Sequence, residues 1–242
     1  MLKILIDKFI SIVVLIIFSP IIFICLILVF LKDFSNPIYI STRVGKNFQN
    51  FNLLKIRSMI NSADKTGVTS TSANDKRITT VGKFIRKFKI DEILQLINVI
   101  KGDMSLVGPR PQIHSEVKLY SDYEKNLLLI KPGITDFSSI IFSDEGEILK
   151  NSVDPNNDYN LLIRPWKSRL GLIYIEKQSF LLDIKLIIFT VIAIISKKRA
   201  LNWVVNQLKI MNVDKNIVDV SKRESELYPY PPPGMNKVVV AR

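Results

Sequence analysis

The most apolar part of the chain lies close to its amino terminus. From Phe9 to Leu31 every residue is apolar except Ser11, Ser19 and Pro20. A helix of that length reaches across a hydrocarbon core, which needs about 20 residues. The run is longer than the apolar region of a secretory signal, and Lys32 follows it where a cleavage site would need small residues. The pattern therefore predicts a helix embedded in the membrane.

Pro20 interrupts this run near its middle, directly after Ser19. Proline removes a helical hydrogen bond and clashes with the preceding turn, so a kink is expected, and the serine can satisfy the freed backbone groups. Basic residues flank both ends of the run, at Lys3, Lys8, Lys32, Arg43 and Lys46. The positive-inside rule draws both ends to the cytoplasm, as in a re-entrant hairpin. Charge and proline alone leave the hairpin and an ordinary kinked transmembrane helix equally open.

Apolar residues return at helical spacing between Val81 and Lys101, which predicts one helix ended by Gly102. The face opposite its apolar side carries Asp91, Gln95 and Asn98. The other predicted elements are short strands or turns at 43–45 and 53–57, rigid turns at 108–111 and 131–133, and helices near 115–126, 169–178 and 180–197.

Two segments near the carboxyl end have distinctive patterns: one suits contact with the membrane, and the other suits an extended or disordered tail. The run from Leu186 to Ile195 is apolar except for Thr190. It is too short to span a bilayer but suits a helix that lies in the interface. From Tyr228 the tail reads Tyr-Pro-Tyr-Pro-Pro-Pro-Gly, which predicts an extended or disordered segment.

Composition narrows the class of partner. The 242 residues are 48% apolar and carry a formal net charge of +12, so the partner should be both oily and anionic, as a membrane or a polyprenyl phosphate is. The single cysteine, Cys25, excludes an intrachain disulfide, and the single histidine, His114, argues against a histidine-based zinc site. The basic run from Lys76 to Lys89 holds few stacking aromatics, so nucleic acid is not expected as a partner.

The adjacent carboxylates Asp91 and Glu92 are the leading candidates for chemistry. They follow a group of cations, Lys83, Arg86, Lys87 and Lys89. Such cations, or a divalent metal held by the carboxylates, would lower the pKa of a carboxylate nucleophile and neutralise phosphate oxygens. The competing interpretation is a solvated helix face on which Lys87 and Asp91 form an i, i+4 pair, worth only about a few tenths of a kcal/mol. Taken alone, an Asp-Glu pair favours the solvated face.

Arg110 is the second candidate, within the segment from Gly102 to Pro111. Pro109 and Pro111 fix the backbone on either side of it. An arginine held in this way can fork onto a phosphate with little ordering cost. Judged alone, a well-made turn with an exposed arginine explains the segment equally well.

Taken in order, these segments resemble the bacterial sugar transferase family, the monotopic polyprenyl-phosphate phosphoglycosyl transferases. The resemblance runs from Lys3 to about Lys197; each part is weak alone, but the series is specific. The parts are Asp7-Lys8, Ser19-Pro20, Arg43-Val44-Gly45, Lys55-x-Arg57-Ser58-Met59, Asn74-Asp75-x-Arg77-Ile78-Thr79, Val81-Gly82-x-Phe84-Ile85-Arg86, Asp91-Glu92-x-x-Gln95-Leu96-x-Asn98-Val99, Gly102 to Pro111, Lys131-Pro132-Gly133-Ile134-Thr135 and Ser179-x-x-x-Asp183.

The resemblance implies a mainly α fold with minor β structure, in three parts. Residues 1–33 would form a re-entrant membrane helix-break-helix, broken at Ser19 and Pro20, which favours the hairpin over the kinked span. Residues 34–200 would form a catalytic domain on the cytoplasmic side of the bacterial inner membrane, with amphipathic helices lying in the membrane plane. Residues 201–242 would be a carboxyl-terminal extension, partly extended or disordered.

The resemblance also implies a reaction. Asp91 would attack the phosphate next to the sugar of a UDP-sugar and release UMP, and the covalent phosphosugar-aspartate would then pass its sugar phosphate to polyprenyl (undecaprenyl) phosphate. Asp91 and Glu92 would hold Mg²⁺, with proton transfer as the alternative role of Glu92, and the phosphate or substrate contacts would come from Arg86, Arg110, Arg57 and Lys55. The implied partners are the UDP-sugar, the polyprenyl phosphate and membrane lipid, and a homodimer is left open.

Several departures from the family pattern limit what can be carried over. Ile93-Leu94 stands where the family often has Leu-Pro, which predicts a straighter helix, and Lys89 replaces a small hydroxyl residue. Asp136 stands where many members have glycine, and the segment 142–145 replaces a frequent Asn-Gly-Arg-Asn. This segment is expected to touch the donor, so the donor sugar cannot be inherited from relatives. The rival hypothesis is a membrane-anchored scaffold that uses the basic face and the proline-rich tail and does not need the two carboxylates.

Overall fold

The chain is mainly helical with two small β-sheets, as the sequence predicts. The computed structural model describes residues 2–240. The strands are β1 (Ile38–Val44) and β2 (Asn50–Ile56), which form an antiparallel hairpin, and β3 (Ser105–Val107) and β4 (Gly133–Thr135), which pair in parallel. The helices are α1 (Leu2–Asp33), α2 (Thr80–Lys87), α3 (Gln95–Lys101), α4 (His114–Val117), α5 (Phe137–Ile141), α6 (Glu145–Ile148), α7 (Pro155–Asp158), α8 (Arg164–Lys177), α9 (Phe180–Ile195), α10 (Lys197–Ile210) and α11 (Lys215–Lys222).

Helix α1 is continuous through Pro20, so the break predicted at Ser19 and Pro20 does not interrupt the helix. The reason lies in one hydrogen bond. Proline has no N–H for the carbonyl four residues earlier, which is that of Ile16. The hydroxyl of Ser19 donates to this carbonyl at 2.8 Å, so the serine satisfies the freed group, as predicted.

Both ends of α1 are tied to the rest of the protein. At the first turns, the ammonium of Lys3 lies 2.5 Å from Asp183 of α9, and Asp7 accepts a hydrogen bond of 2.5 Å from the hydroxyl of Ser105 in β3. At the last turn, Asp33 binds Arg57, which directly follows β2. The globular part of the protein therefore holds both ends of α1.

Two helices expose apolar faces. Only a narrow stripe of α1 is buried against the protein, at Ser11, Ile22, Cys25 and Val29. Most of its other large apolar side chains are exposed. In α9 the exposed apolar residues recur at helical spacing, at Phe180, Ile184, Ile188, Val191 and Ile195. Exposed apolar surface on this scale is typical of a surface that contacts lipid or another protein. The helix predicted at 180–197 is confirmed as α9, which ends at Ile195 and has an apolar outer face; its place in the membrane interface stays a prediction.

The main core lies where α5, α8, α9 and α10 meet, around the buried side chains of Phe137, Trp166 and Tyr174. Helix α10 runs through residue 200, where a boundary was expected, and Ala200 and Val204 are fully buried in the same core. The first residues of the carboxyl-terminal extension thus pack with the preceding domain.

The single helix predicted from Val81 to Lys101 is wrong. Lys89 adopts a left-handed conformation with φ of 58°, which ends α2 and starts a 3₁₀ turn at Ile90–Glu92 before α3 begins. Residues from both the apolar and the polar face of the predicted helix are buried, since Ile90, Asp91 and Gln95 all lie in the interior. A break re-aims the polar residues inward without exposing the apolar ones.

The helix predicted near 115–126 is also interrupted. Helix α4 ends at Val117, and a 3₁₀ segment runs from Glu124 to Leu129. Ser121 accepts a hydrogen bond of 3.0 Å from the backbone N–H of Glu124, and the Glu124 carboxylate accepts one of 3.0 Å from the N–H of Ser121. This reciprocal pair has the contacts of a capping box, which starts a new helical segment.

The tail from Tyr228 is extended, as predicted, but it is packed against the protein instead of being disordered. The ring of Tyr230 stacks on Trp166 with 4.3 Å between centroids. The guanidinium of Arg169 lies over the same tyrosine ring and donates a hydrogen bond of 2.8 Å to the carbonyl of Pro231. The hydroxyl of Ser121 donates to the carbonyl of Pro233, so residues 230–233 are held against the protein.

Candidate active site

Asp91 and Glu92 lie on the 3₁₀ turn between α2 and α3, which the left-handed Lys89 directs into the protein. Asp91 is only 6% exposed. The ammonium of Lys87 lies over the ring of Phe88, 5.5 Å from its centroid, and not beside Asp91. The interpretation of a solvated helix face with a Lys87–Asp91 pair is therefore wrong.

Glu92 is held between two cations from different elements. One of its carboxylate oxygens accepts hydrogen bonds from Lys55 of β2 at 2.9 Å and from Arg110 at 2.5 Å, and the other accepts from Arg110 at 3.4 Å. Burial alone would raise the pKa of Glu92, but Arg110 and Lys55 outweigh it and hold that pKa well below its usual range. Glu92 is therefore a fixed anion that positions Lys55 and Arg110.

Asp91 has the opposite electrostatic character. Its Oδ1 atom is buried and has no hydrogen-bond partner among residues 2–240. Burial raises the pKa of Asp91, and Glu92 adds to this effect, against the lowering effects of Lys55 and Arg86. Adjacent carboxylates with diverging pKa values are typical of a pair with two roles. Here the carboxylate of Glu92 is bound by two cations, and Oδ1 of Asp91 has no hydrogen-bond partner among residues 2–240.

The loop that carries Arg110 is fixed by contact between two glycines. A Cβ on Gly133 would lie 2.0 Å from the backbone nitrogen of Gly108, so neither position has room for a side chain. Gly108 donates a hydrogen bond of 3.0 Å to Thr135, and Gly133 donates one of 2.9 Å to Pro109. The predicted rigid turns at 108–111 and 131–133 thus hold each other and keep Arg110 in reach of Glu92.

The structure joins some of the predicted substrate-binding residues and separates another. Lys55 and Arg110 contact Glu92, and Arg86 contributes to the field at Asp91 while its guanidinium lies 3.4 Å from the hydroxyl of Ser58. Arg57 instead binds Asp33 at the end of α1 with two nitrogens, at 2.5 and 2.6 Å. The predicted phosphate role of Arg57 thus stays a prediction, with both terminal nitrogens already engaged.

Three further groups belong to the site and were not predicted as site residues. Arg43 of β1 lies near Arg110, because the N–H of Val44 binds the carbonyl of Gln112 at 2.9 Å. Burial and the neighbouring Arg110 lower the pKa of Arg43, and its buried Nε has no partner within residues 2–240. Its place in the Arg43-Val44-Gly45 motif was the available signal.

The other two are Glu145 and Lys167, which form an ion pair. Burial would raise the pKa of Glu145, but Lys167 and Arg110 lower it overall. These residues are far apart in the sequence, and no local pattern joins them. Glu145 belongs to the segment 142–145 that was expected to touch the donor, and its charge acts on Arg110, whose pKa it helps to raise. By contrast, Asp136 is buried and caps α5 by accepting a hydrogen bond of 2.8 Å from the N–H of Ser139, which is a structural role.

The donor set fits a magnesium ion. Magnesium usually keeps several waters and binds one or two carboxylates together with substrate phosphates. Among residues 2–240 no cluster of three or more acidic, cysteine or histidine side chains could form a complete protein cage. The open Oδ1 of Asp91 is a buried carboxylate oxygen without a partner, which is the ligand that such an ion would take.

Comparison with known proteins places the chain in a family. The family described as bacterial sugar transferase matches residues 1–197. EpsL of Bacillus subtilis (strain 168), an uncharacterized sugar transferase, is 34% identical over 173 residues, which are 72% of this chain and 77% of EpsL. The undecaprenyl-phosphate galactose phosphotransferase of Salmonella typhimurium (strain LT2) is 40% identical over 140 residues, 52% of this chain and 29% of that protein.

The galactosyl transferase CpsE of Streptococcus agalactiae serotype III (strain NEM316) is 39% identical over 145 residues, 54% of this chain. The match covers only 32% of CpsE, so this chain spans about a third of that relative's length. The EpsL match, in contrast, covers most of both chains. The family match includes the β1–β2 hairpin, the carboxylate pair and the Arg110 loop. The chain therefore belongs to the bacterial sugar transferase family.

Proposed function

We propose that the protein transfers a sugar 1-phosphate from a UDP-sugar to undecaprenyl phosphate and releases UMP, as the first membrane step of polysaccharide or glycoconjugate synthesis. The observation that carries the proposal is the divided carboxylate pair. Glu92 is saturated by Lys55 and Arg110, while the buried Oδ1 of Asp91 has no partner. Relatives named as undecaprenyl-phosphate sugar phosphotransferases support the choice of reaction.

In the first step, the carboxylate of Asp91 attacks the phosphorus next to the sugar. The bond from this phosphorus to the bridging oxygen breaks, and that oxygen leaves with its electron pair as part of UMP. The product is an acyl phosphate that joins Asp91 to the sugar phosphate. Arg110 and Lys55, which Glu92 positions, neutralise charge on the phosphate oxygens.

In the second step, a phosphate oxygen of undecaprenyl phosphate attacks the same phosphorus. The bond to Asp91 breaks, the carboxylate is restored, and the product is an undecaprenyl diphosphate sugar. No proton has to move in either displacement, so Glu92 acts as a fixed anion. Asp91 and the substrate phosphates would hold magnesium, which would neutralise charge on the phosphate oxygens.

We place the protein on the cytoplasmic side of the bacterial inner membrane, with α1 re-entrant. Two observations support this arrangement. The outer faces of α1 and α9 are apolar, and the two ends of α1 form ion pairs, Lys3–Asp183 and Asp33–Arg57, with the same globular part. A helix that crossed the bilayer would place one of these pairs on the far side.

The chemistry is tested with the full chain in membranes that contain undecaprenyl phosphate and Mg²⁺, against a panel of UDP-sugars, with UMP release as the readout. With the right donor, Asp91→Asn should reduce turnover by about 10³-fold or more, because a nucleophile is lost. With donor alone, intact-mass measurement should show the wild-type chain heavier by one sugar phosphate. Full turnover by Asp91→Asn would exclude the covalent route, and dispensability of both carboxylates would favour the scaffold hypothesis.

The topology is tested separately, in a Cys25→Ser background. Single cysteines are placed at Lys3 and Ser35, and an impermeant thiol reagent is added to inside-out or right-side-out vesicles. A re-entrant α1 labels at both positions from the cytoplasmic side only. Labelling from opposite sides would establish a transmembrane span.

A further inference from the structure

A cavity of about 190 Å³ lies at the first turns of α1, and neither Asp91 nor Glu92 lines it. Three lysines from separate segments line it: Lys3 from α1, Lys46 from the turn after β1, and Lys131 from the loop before β4. A cavity of this size holds a small polar headgroup and not a whole nucleotide sugar. The cavity is therefore a second place where an anion can bind.

The charges around the cavity define the anion it would take. Lys3 is neutralised by its ion pair with Asp183, and Asp7, which also lines the cavity, contributes one negative charge. Lys46 and Lys131 form no ion pair among residues 2–240. The lining therefore carries a net charge of about +1. A phosphodiester, with one negative charge, matches this lining better than a phosphomonoester, which carries about −1.5 to −2.

The surroundings of the cavity are apolar on two sides. Leu2 and Leu5, next to Lys3 on α1, are exposed, and so are Phe180 and Leu181, just after the lining residue Gln178. A cationic interior between apolar segments suits an amphiphile whose headgroup is charged and whose chains lie outside.

We propose that the cavity lined by Lys3, Asp7, Lys46 and Lys131 binds the phosphodiester headgroup of a membrane glycerophospholipid, which holds the start of α1 at the membrane surface. The proposal uses the membrane placement given above but not the transfer reaction. Occupancy of the cavity adds contacts that bridge α1, the β1–β2 turn and the β4 loop, so the bound lipid stabilises the folded protein by mass action.

The test titrates detergent-solubilised full chain with dioctanoyl phosphatidylglycerol and follows the rise in Tm. Dioctanoylglycerol, which lacks the phosphate, is the matched ligand control. The double variant Lys46→Gln/Lys131→Gln should bind the phospholipid roughly 25-fold more weakly, since each lysine near a lipid phosphate contributes about fivefold. Lys118→Gln/Lys215→Gln removes two exposed lysines elsewhere and should leave the titration unchanged.

Each other outcome overturns the proposal in a defined way. Equal binding by both double variants would show that the lysines of the cavity hold no lipid. An equal response to dioctanoylglycerol would show a purely apolar contact, and saturation by inorganic phosphate would show a site for a free anion. Tighter binding of a short polyprenyl phosphate, lost in Lys46→Gln/Lys131→Gln, would show a site for the acceptor. Because no turnover is measured, the result stands whether or not Asp91 is the nucleophile.

Discussion

Arg57 and Asp33 form a two-pronged ion pair that joins the end of β2 to the last turn of α1. Nη1 of Arg57 lies 2.5 Å from Oδ2 of Asp33, and Nη2 lies 2.6 Å from Oδ1. Arg57 also donates to the carbonyl of Ser35 at 3.2 Å. The guanidinium therefore fixes the chain where it leaves the apolar helix, and the phosphate role that the family resemblance implies for Arg57 stays a prediction.

This geometry predicts that Arg57 acts through Asp33. Arg57→Lys, which cannot reproduce the fork, and Asp33→Asn, which removes the charge, should lower Tm by similar amounts, and the double variant should lower it little further. Neither should change the KM for the donor by more than about twofold. A rise in KM for Arg57→Lys that Asp33→Asn does not share would restore the phosphate role.

The carboxylate pair predicts opposite effects on stability. The pKa of Asp91 is raised in the folded protein, so its charge destabilises the fold at pH values above the raised pKa. Asp91→Asn should therefore raise Tm at neutral pH although it greatly reduces turnover. The pKa of Glu92 is lowered, so its charge stabilises the fold above its unfolded pKa, and this stability is lost as the pH falls through the lowered pKa.

Glu92→Gln should accordingly lower Tm at neutral pH and leave Lys55 and Arg110 without their shared anion. The two substitutions lie at adjacent positions, and each removes one negative charge, so each is the control for the other. Thermal unfolding in detergent at neutral pH checks both. A fall in Tm for Asp91→Asn would mean that its carboxylate is stabilised in the fold by contacts that the structure does not place there.

The sequence predicted the residues that carry the chemistry of this site, but it did not predict the backbone geometry that brings them together. The structure brings together Asp91, Glu92, Lys55 and Arg110, which the ordered motifs had singled out. The break at Lys89 could not be read, because helical spacing of apolar residues continues across it and only tertiary burial of both faces demands the turn. Nor could the Glu145–Lys167 pair, which joins two distant segments through the fold.

Some missed features were present in the sequence. Ser121 and Glu124 have the spacing of a capping box, which predicts a new helical start within the region that was taken as one helix. The Arg57–Asp33 pair had no such signal, since β1 and β2 lie between helix α1 and Arg57 and only their pairing brings the two side chains together.

The pH dependence of turnover follows from Asp91. Turnover needs the ionised carboxylate, so activity falls as the pH is lowered through the raised pKa of Asp91, while Glu92 stays ionised over that interval. Lys55 lowers the pKa of Asp91. Lys55→Met should therefore move the acid limb of kcat to higher pH, in addition to any loss of rate.

Lys83→Met is the matched control, because Lys83 is exposed on α2 and is not among the charges that principally shift Asp91. Its acid limb should coincide with that of the wild type. Turnover is measured at saturating donor across the acid range, after each variant has been shown to stay folded there. An unmoved limb in Lys55→Met would mean that another group controls it.

The carboxyl-terminal tail offers two tyrosines for a matched comparison. Tyr230 stacks on Trp166 and lies beneath Arg169, whereas Tyr228 is exposed and meets Trp166 only edge-on at 6.1 Å. Tyr230→Ala should destabilise the fold by about 1–2 kcal/mol, because it removes the stacked pair and uncovers Trp166. That change corresponds to a fall in Tm of roughly 2–8 °C for a chain of this size.

Tyr228→Ala should lower Tm by less than half as much, and neither variant should change the KM for the donor, because the tail's hydrogen bonds run to Arg169 and Ser121 and involve neither Asp91 nor Glu92. The scaffold hypothesis requires the tail to be free to bind a partner. Limited proteolysis distinguishes a packed tail from a free one. A packed tail is cleaved slowly in the wild type and faster in Tyr230→Ala. Equal and rapid cleavage in both chains would mean that the tail does not rest on Trp166 in solution.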